Sequence, residues 1–156
     1  MIRVQTEDFD VGIETAGLSD GNHSVGGVCC FVGMVRDMAP EGVAIGAMTL
    51  EHYPGMTEKA LVEIEAEAHR RWPLAETLII HRYGRLEPGD RIVFVGTSSA
   101  HRDAAFDACR FLIDWLKTKA PFWKLEDAGD GGHWVDARGS DDEAAARWGE
   151  PSKAAE

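Results

Sequence analysis

The stretch Glu76-Thr-Leu-Ile-Ile-His-Arg-Tyr-Gly-Arg-Leu86, followed by Glu87-Pro-Gly-Asp90 and Arg91-Ile-Val-Phe-Val-Gly-Thr-Ser98, decides the fold. Arg91–Ser98 alternates in the two-residue period of a strand, and the segment before it carries the apolar run Leu78-Ile-Ile80. A connection as short as Glu87–Asp90 cannot carry the crossover that parallel strands need. Glu76–Leu86 and Arg91–Ser98 are therefore expected to pair antiparallel.

Helical patterns flank this pair. Thr57–Trp72 places Leu61, Ile64 and Ala68 on one face and is closed by Pro73. His101–Lys119 places Ala105, Ala108, Leu112 and Leu116 on another stripe and is closed by Pro121. Further out, Ile2–Gln5 reads as a short strand and Asp8–Leu18 as a short helix capped by Thr6, weakened by Gly12 and Gly17. Val25–Val35 reads as a buried strand with Gly46–His52 as its partner, across a turn-rich loop from Arg36 to Gly42. Phe122–Glu126 and His133–Ala137 resemble a small hairpin. The total is an α+β domain, with a mainly antiparallel sheet and flanking helices, over residues 1–148. From Gly139 onward the chain is small, polar and acidic. One short helix is expected around Glu143–Trp148, with residues 149–156 as a flexible acidic tail. Trp148 is expected to dock against the body, as a large aromatic in a polar segment does.

A chain of 156 residues suits one domain. Sixteen Lys+Arg against 27 Asp+Glu give a formal charge of −11, which argues against nucleic acid or an anionic membrane as partner. The apolar run Gly26–Val35 is about half of a membrane span, and the first residues lack a signal-peptide pattern. Three cysteines, two of them adjacent, do not describe a disulfide framework, so a reduced, cytosolic protein is expected. Cys29 and Cys30 point to opposite faces of a strand, and Cys109 lies among apolar helix positions, the setting of a structural thiol. No spacing of the six histidines suits a metal, and no nucleotide-binding glycine motif or hydrolase triad is present.

Against this acidity one basic concentration stands out. Between His101 and Lys124, five Lys+Arg face three Asp. Such a run alone is a solvated helix face. Spacing adds more: Arg102, Phe106, Cys109, Ile113 and Lys117 share one helical stripe, apolar in the middle and basic at both ends, as on a buried or partnered face. Lys117 also sits where a cation favours the helix dipole. Lys124, flanked by Phe122 and Trp123, is expected to lose solvent and become a proton donor or acceptor. Arg102 and Lys117 are separated by about 22 Å of helix, at 1.5 Å per residue, so one helix cannot close both on a small ligand. Either they serve different purposes, or a second copy brings its Arg102 to the first copy's Lys117, which predicts a homodimer with a shared site. Ser98–Arg102 crosses from strand end to helix start, where free N–H groups, His101 and Arg102 suit an anion or a simple serine cap. Arg36, at a strand end, is a further candidate anion ligand.

Seven motifs in order are specific enough to carry a resemblance: Phe31–Arg36, Leu50–Ala60, Ile80–Gly84, Pro88–Asp90, Ser99–Arg102, Leu116–Lys124 and Trp134–Arg138. Over residues 1–148 the chain resembles the large, catalytic subunit of molybdopterin synthase. The resemblance implies an α/β hammerhead-type core plus a small β subdomain. The implied reaction is a sulfurtransferase step of molybdenum cofactor biosynthesis, in which cyclic pyranopterin monophosphate becomes the molybdopterin dithiolene. The sulfur donor is a ubiquitin-like small subunit with a C-terminal Gly-Gly thiocarboxylate, in a heterotetramer built on a homodimer of large subunits. No cofactor and no metal are implied.

The resemblance also implies roles. Lys117 and Lys124 are similar to the family's active-site lysines, and Arg36 to an anion ligand beside them. His101, Arg102 and Arg138 resemble the phosphate ligands, with His101 and Arg102 supplied by the opposite protomer; Phe31 and Ile113 resemble pocket walls. In this reading Lys117 does the acid/base work and Lys124 orients and neutralises, the reverse division being the alternative. The cysteines need no part, since the sulfur arrives on the partner. Lys119 stands where the family's lysine-threonine-arginine form has arginine, and Asp136 where Glu is frequent. Two other classes stay open: a non-catalytic scaffold for a ubiquitin-like tail, and an acidic small-molecule-binding dimer of unrelated chemistry.

Overall fold

In the computed structural model, residues 1–38, 42–129, 131–135 and 139–149 are described. Among these residues, four helices and two four-stranded sheets make an α+β fold. The first sheet has β1 (Ile2–Gln5), β4 (Leu74–Arg82), β6 (Arg91–Ser99) and β2 (Gly27–Met34) in that order, with β1–β4 parallel and the rest antiparallel. The second sheet is antiparallel in the order β5 (Gly84–Leu86), β3 (Ala47–His52), β7 (Phe122–Asp127), β8 (His133–Val135).

Alternation along the central strands divides the core. Ile79, Val93 and Val95 point into the main cluster beneath α2 (Met56–Arg71) and α3 (Arg102–Lys119), where Leu61, Ile64, Phe111 and Leu112 close the interior. Their neighbours Leu78, Ile80 and Phe94 point to the opposite face, covered by Phe9 and Leu18 around α1 (Val11–Gly17). A strand covered on both faces needs a continuous apolar run, which Ile92–Val95 supplies. The helical stripes read from sequence are the buried ones: Leu61, Ile64 and Ala68 on α2, and Ala105, Ala108, Leu112 and Leu116 on α3.

Several expectations are corrected. Ala47–His52 does not pair with β2; it lies between β5 and β7 in the second sheet, while β2 takes the free edge of β6 with Gly27 opposite Ser99. An edge strand is covered on one side only, so β2 is not buried throughout: Val28, Phe31 and Met34 are exposed. The segment expected as one strand over Glu76–Leu86 divides at Gly84, whose φ of 88° turns the chain from the first sheet into the second. The first helix is capped by Asp10, which accepts from the Ile13 N–H at 2.9 Å, and not by Thr6.

The polar C-terminal segment contributes α4 (Gly139–Ala146), which begins earlier than expected. Beyond it Trp148 does dock. Its indole N–H donates to Asp114 at 2.8 Å, its carbonyl accepts from Arg71 at 2.6 Å, and its ring meets Trp72 and Phe111 edge-on. Among the described residues no helix is long and apolar enough to cross a membrane.

Candidate active site

The two sheets and the C-terminal end of α3 leave a cavity of about 580 Å³ between them. One wall is β2 and the strand end after it, with Phe31 and Arg36; a second is α3, with Ile113, Leu116 and Lys117. The third is the inner face of the second sheet, where Phe122, Lys124 and Glu126 project together because alternate residues of β7 share a face. Asp141, in the first turn of α4, reaches the rim.

Five of the residues singled out in the sequence thus line one cavity: Phe31, Arg36, Ile113, Lys117 and Lys124. They come from three elements: β2 and the strand end after it, α3, and β7, which follows α3 directly. Three cations stand against two carboxylates there, so the cavity is locally positive within a chain of charge −11. Each lysine has a carboxylate of its own. The Lys124 ammonium lies 2.5 Å from Glu126 Oε1, and Lys117 Nζ lies 3.9 Å from Asp141 Oδ1 at half exposure.

The expectation that flanking aromatics strip Lys124 of solvent is corrected. Trp123 points to the other face of β7, where it meets Tyr53, and the Lys124 ammonium is paired instead of isolated. Lys119 turns away as well, its ammonium 3.7 Å from the centroid of the Trp115 ring.

His101 and Arg102 do not reach this cavity. They sit at the opposite end of α3, both exposed, with the Arg102 guanidinium only loosely near Asp103 at 3.7 Å. The serines before them are structural. Ser99 donates to the Pro73 carbonyl at 2.8 Å and Ser98 accepts from the Glu76 N–H at 3.1 Å, both fully buried. Arg138 and Asp136 lie outside the described residues.

Sequence reasoning did not single out Glu126, Asp141 or His81. Glu126 had a signal, being two residues from Lys124 on a strand. Asp141 had none, since nothing in an acidic segment marks one carboxylate. His81 is buried in the cavity wall, stacked on Phe122 with ring centroids 3.6 Å apart. Burial pulls its pKa down to about 4, so the ring is neutral, with Nδ1–H donated to the Arg82 carbonyl at 2.9 Å.

The three cysteines are free. Cys109 is buried with its thiol pushed far up by desolvation, and burial also raises Cys29, so neither favours the nucleophilic thiolate. Among the described residues no group of three or more His, Cys, Asp or Glu is arranged to hold a metal ion.

Fold and cavity define a class: a small α+β protein with a cavity in which an apolar wall faces a set of positive side chains. Comparison with known proteins narrows the class. The MoaE protein family model matches residues 4–119. The chain is 59% identical over 149 residues to the molybdopterin synthase catalytic subunit of Pseudomonas aeruginosa, covering 96% of this chain and 99% of that one. The solved molybdopterin biosynthesis MoaE protein from Burkholderia ambifaria superposes with a TM-score of 0.82 at 55% identity, covering 96% and 98% of the two chains. Likeness of fold alone extends to a Helicobacter pylori structure, a protein–protein complex of subunits 1 and 2 of molybdopterin-converting factor, with TM-score 0.72, 16% identity and 88% and 91% coverage. The chain belongs to the MoaE family, the catalytic subunits of molybdopterin synthase.

Proposed function

We propose that the cavity holding Arg36, Lys117 and Lys124 is where sulfur passes from the thiocarboxylate tail of a ubiquitin-like small subunit to cyclic pyranopterin monophosphate. The convergence of three cations from separate segments, in a chain of charge −11, carries this reading. Both reactants are anionic, and an acidic protein must offset their repulsion locally. A Gly-Gly tail has no side chains to exclude, so it suits a cavity walled by Phe31 and Ile113.

In each round a C–S bond forms at the pterin side chain and a C–O bond breaks. Water then releases the sulfur from the tail, leaving an ordinary carboxylate on the small subunit. The departing oxygen needs a proton and the attacking water must lose one. Lys117, half exposed at the helix end, is assigned that exchange. Lys124, held by Glu126 on a strand, orients and neutralises.

The phosphate is assigned to His101 and Arg102 of a second copy, together with Arg138. The observations supporting a homodimer are the eight-residue free edge of β2, with Val28 and Met34 exposed on it, and the exposed Phe106 one turn after Arg102. Large apolar side chains gathered on an unpartnered strand and the adjoining helix mark an interaction surface.

Incubation with the thiocarboxylated small subunit and the cyclic pterin tests the proposal: molybdopterin should form. Lys117→Ala should abolish turnover while leaving folding and small-subunit binding intact. A complex that yields no product with the unaltered chain would make it a scaffold instead.

A further inference from the structure

Two elements deliver carboxylates to the cavity lysines, and they differ. Glu126 rides on the same strand as Lys124, two residues on, so the sheet keeps both on one face. Asp141 rides on α4, a helix of eight residues with one buried side chain, Ala145. Trp148, just past the end of α4, fastens it to the body through an indole bond to Asp114 and a carbonyl bond to Arg71, and Arg147 lies 3.9 Å from the same Asp114 carboxylate. Asp114 lies one helical turn before Lys117. The far end of α4 is thus tied to the helix that presents the lysine, and its near end carries the carboxylate to it.

We propose that Asp141 is a positioning residue for Lys117: the anchored C-terminal helix holds its carboxylate beside the ammonium as an exchangeable counter-ion, which an anionic ligand entering the cavity displaces. The pair is suited to exchange. At 3.9 Å, with the lysine half exposed and Asp141 29% exposed, it is loose, whereas the 2.5 Å pair of Lys124 and Glu126 is tight and more enclosed. An entering oxyanion or thiocarboxylate gains Lys117 at the small cost of a weak surface pair. Asp141 therefore sets how readily the cavity accepts an anion, and Lys117 is kept near its working place when the cavity is vacant. This rests on the reading of Lys117 as an active-site lysine.

The test is calorimetric titration of inorganic phosphate into the intact chain and its variants. Asp141→Asn should bind phosphate roughly two- to fivefold more tightly, the size of a lost surface ion pair. Asp141→Glu should keep the original affinity, and Lys117→Met should remove the gain when combined with Asp141→Asn. Equal phosphate affinity in the folded Asp141→Asn variant would overturn the proposal, as would a gain that persists without Lys117. Turnover with the thiocarboxylated partner is measured separately. Normal turnover with an indifferent Asp141 sinks this inference alone, and absent turnover with the predicted phosphate response sinks the functional reading alone.

Discussion

His81 shows how one buried side chain ties stability to pH. It is 5% exposed, and desolvation holds its pKa near 4, against 6.5 for an exposed histidine. Between these values the unfolded chain binds a proton that the folded chain refuses. Stability should therefore fall as pH drops from 6.5 towards 4, and stop falling on this account below it. The span corresponds to about 3 kcal/mol at most. His81→Phe keeps an aromatic ring for Phe122 to stack on but cannot titrate. The difference in unfolding free energy between the two proteins, followed by urea denaturation from pH 7 to 4, should change in favour of the variant. A difference that stays constant over that range would contradict the burial argument. At this scale the sequence is informative wherever a side chain's neighbours are local. Cys109, among apolar helix positions, is the buried thiol that its setting predicts. The surroundings of Lys124 are not legible in this way, because Phe122 and Trp123, adjacent in sequence, face opposite sides of a strand.

Between elements, close approach of backbones governs what the chain tolerates. Gly26 precedes β2 and donates its N–H to the Ser99 carbonyl, and a Cβ built there would lie 2.2 Å from the Ala100 carbonyl oxygen. That neighbour is backbone and cannot rotate away. Gly26→Ala should cost about 1–3 kcal/mol, as overpacking does, and lower the chemical denaturation midpoint. An unchanged midpoint would mean that β2 does not enter the sheet at this separation. The helices are legible because an amphipathic stripe is a local property, and Leu61, Ile64 and Leu112 report it directly. Strand partners are not. Whether Ala47–His52 pairs with β2 or with β7 depends on which edges are free, and the long central β6 engages both of its own with β4 and β2. Nor can composition show that an acidic C-terminal segment lies along α3 and brings Asp141 to Lys117, although Trp148 signals that something there must dock.

At the scale of the whole molecule, the basic residues singled out for the site fall in two places. Arg36, Lys117 and Lys124 meet in the cavity, while His101 and Arg102 stand exposed at the other end of an 18-residue helix. A rigid helix cannot bring its two ends together, so in the proposed function the second group serves the cavity of a second copy. This separation is legible in the sequence, because fifteen residues of helix fix a length without any knowledge of packing. The cavity itself is not, because it forms only where two sheets meet, and the division at Gly84 that makes the second sheet reads in the sequence as one continuous strand. The claim that the site is shared predicts that Lys117→Ala and Arg102→Ala are each inactive alone, and it is tested most directly by mixing the two under conditions where subunits exchange. In a hybrid dimer one site keeps both Lys117 and the partner copy's Arg102, while the other loses both. With random exchange, half of the dimers are hybrids with one working site, so turnover should return to about a quarter of the unaltered level. No recovery, with exchange demonstrated by a mass-tagged copy, would show that the two residues do not meet across two chains.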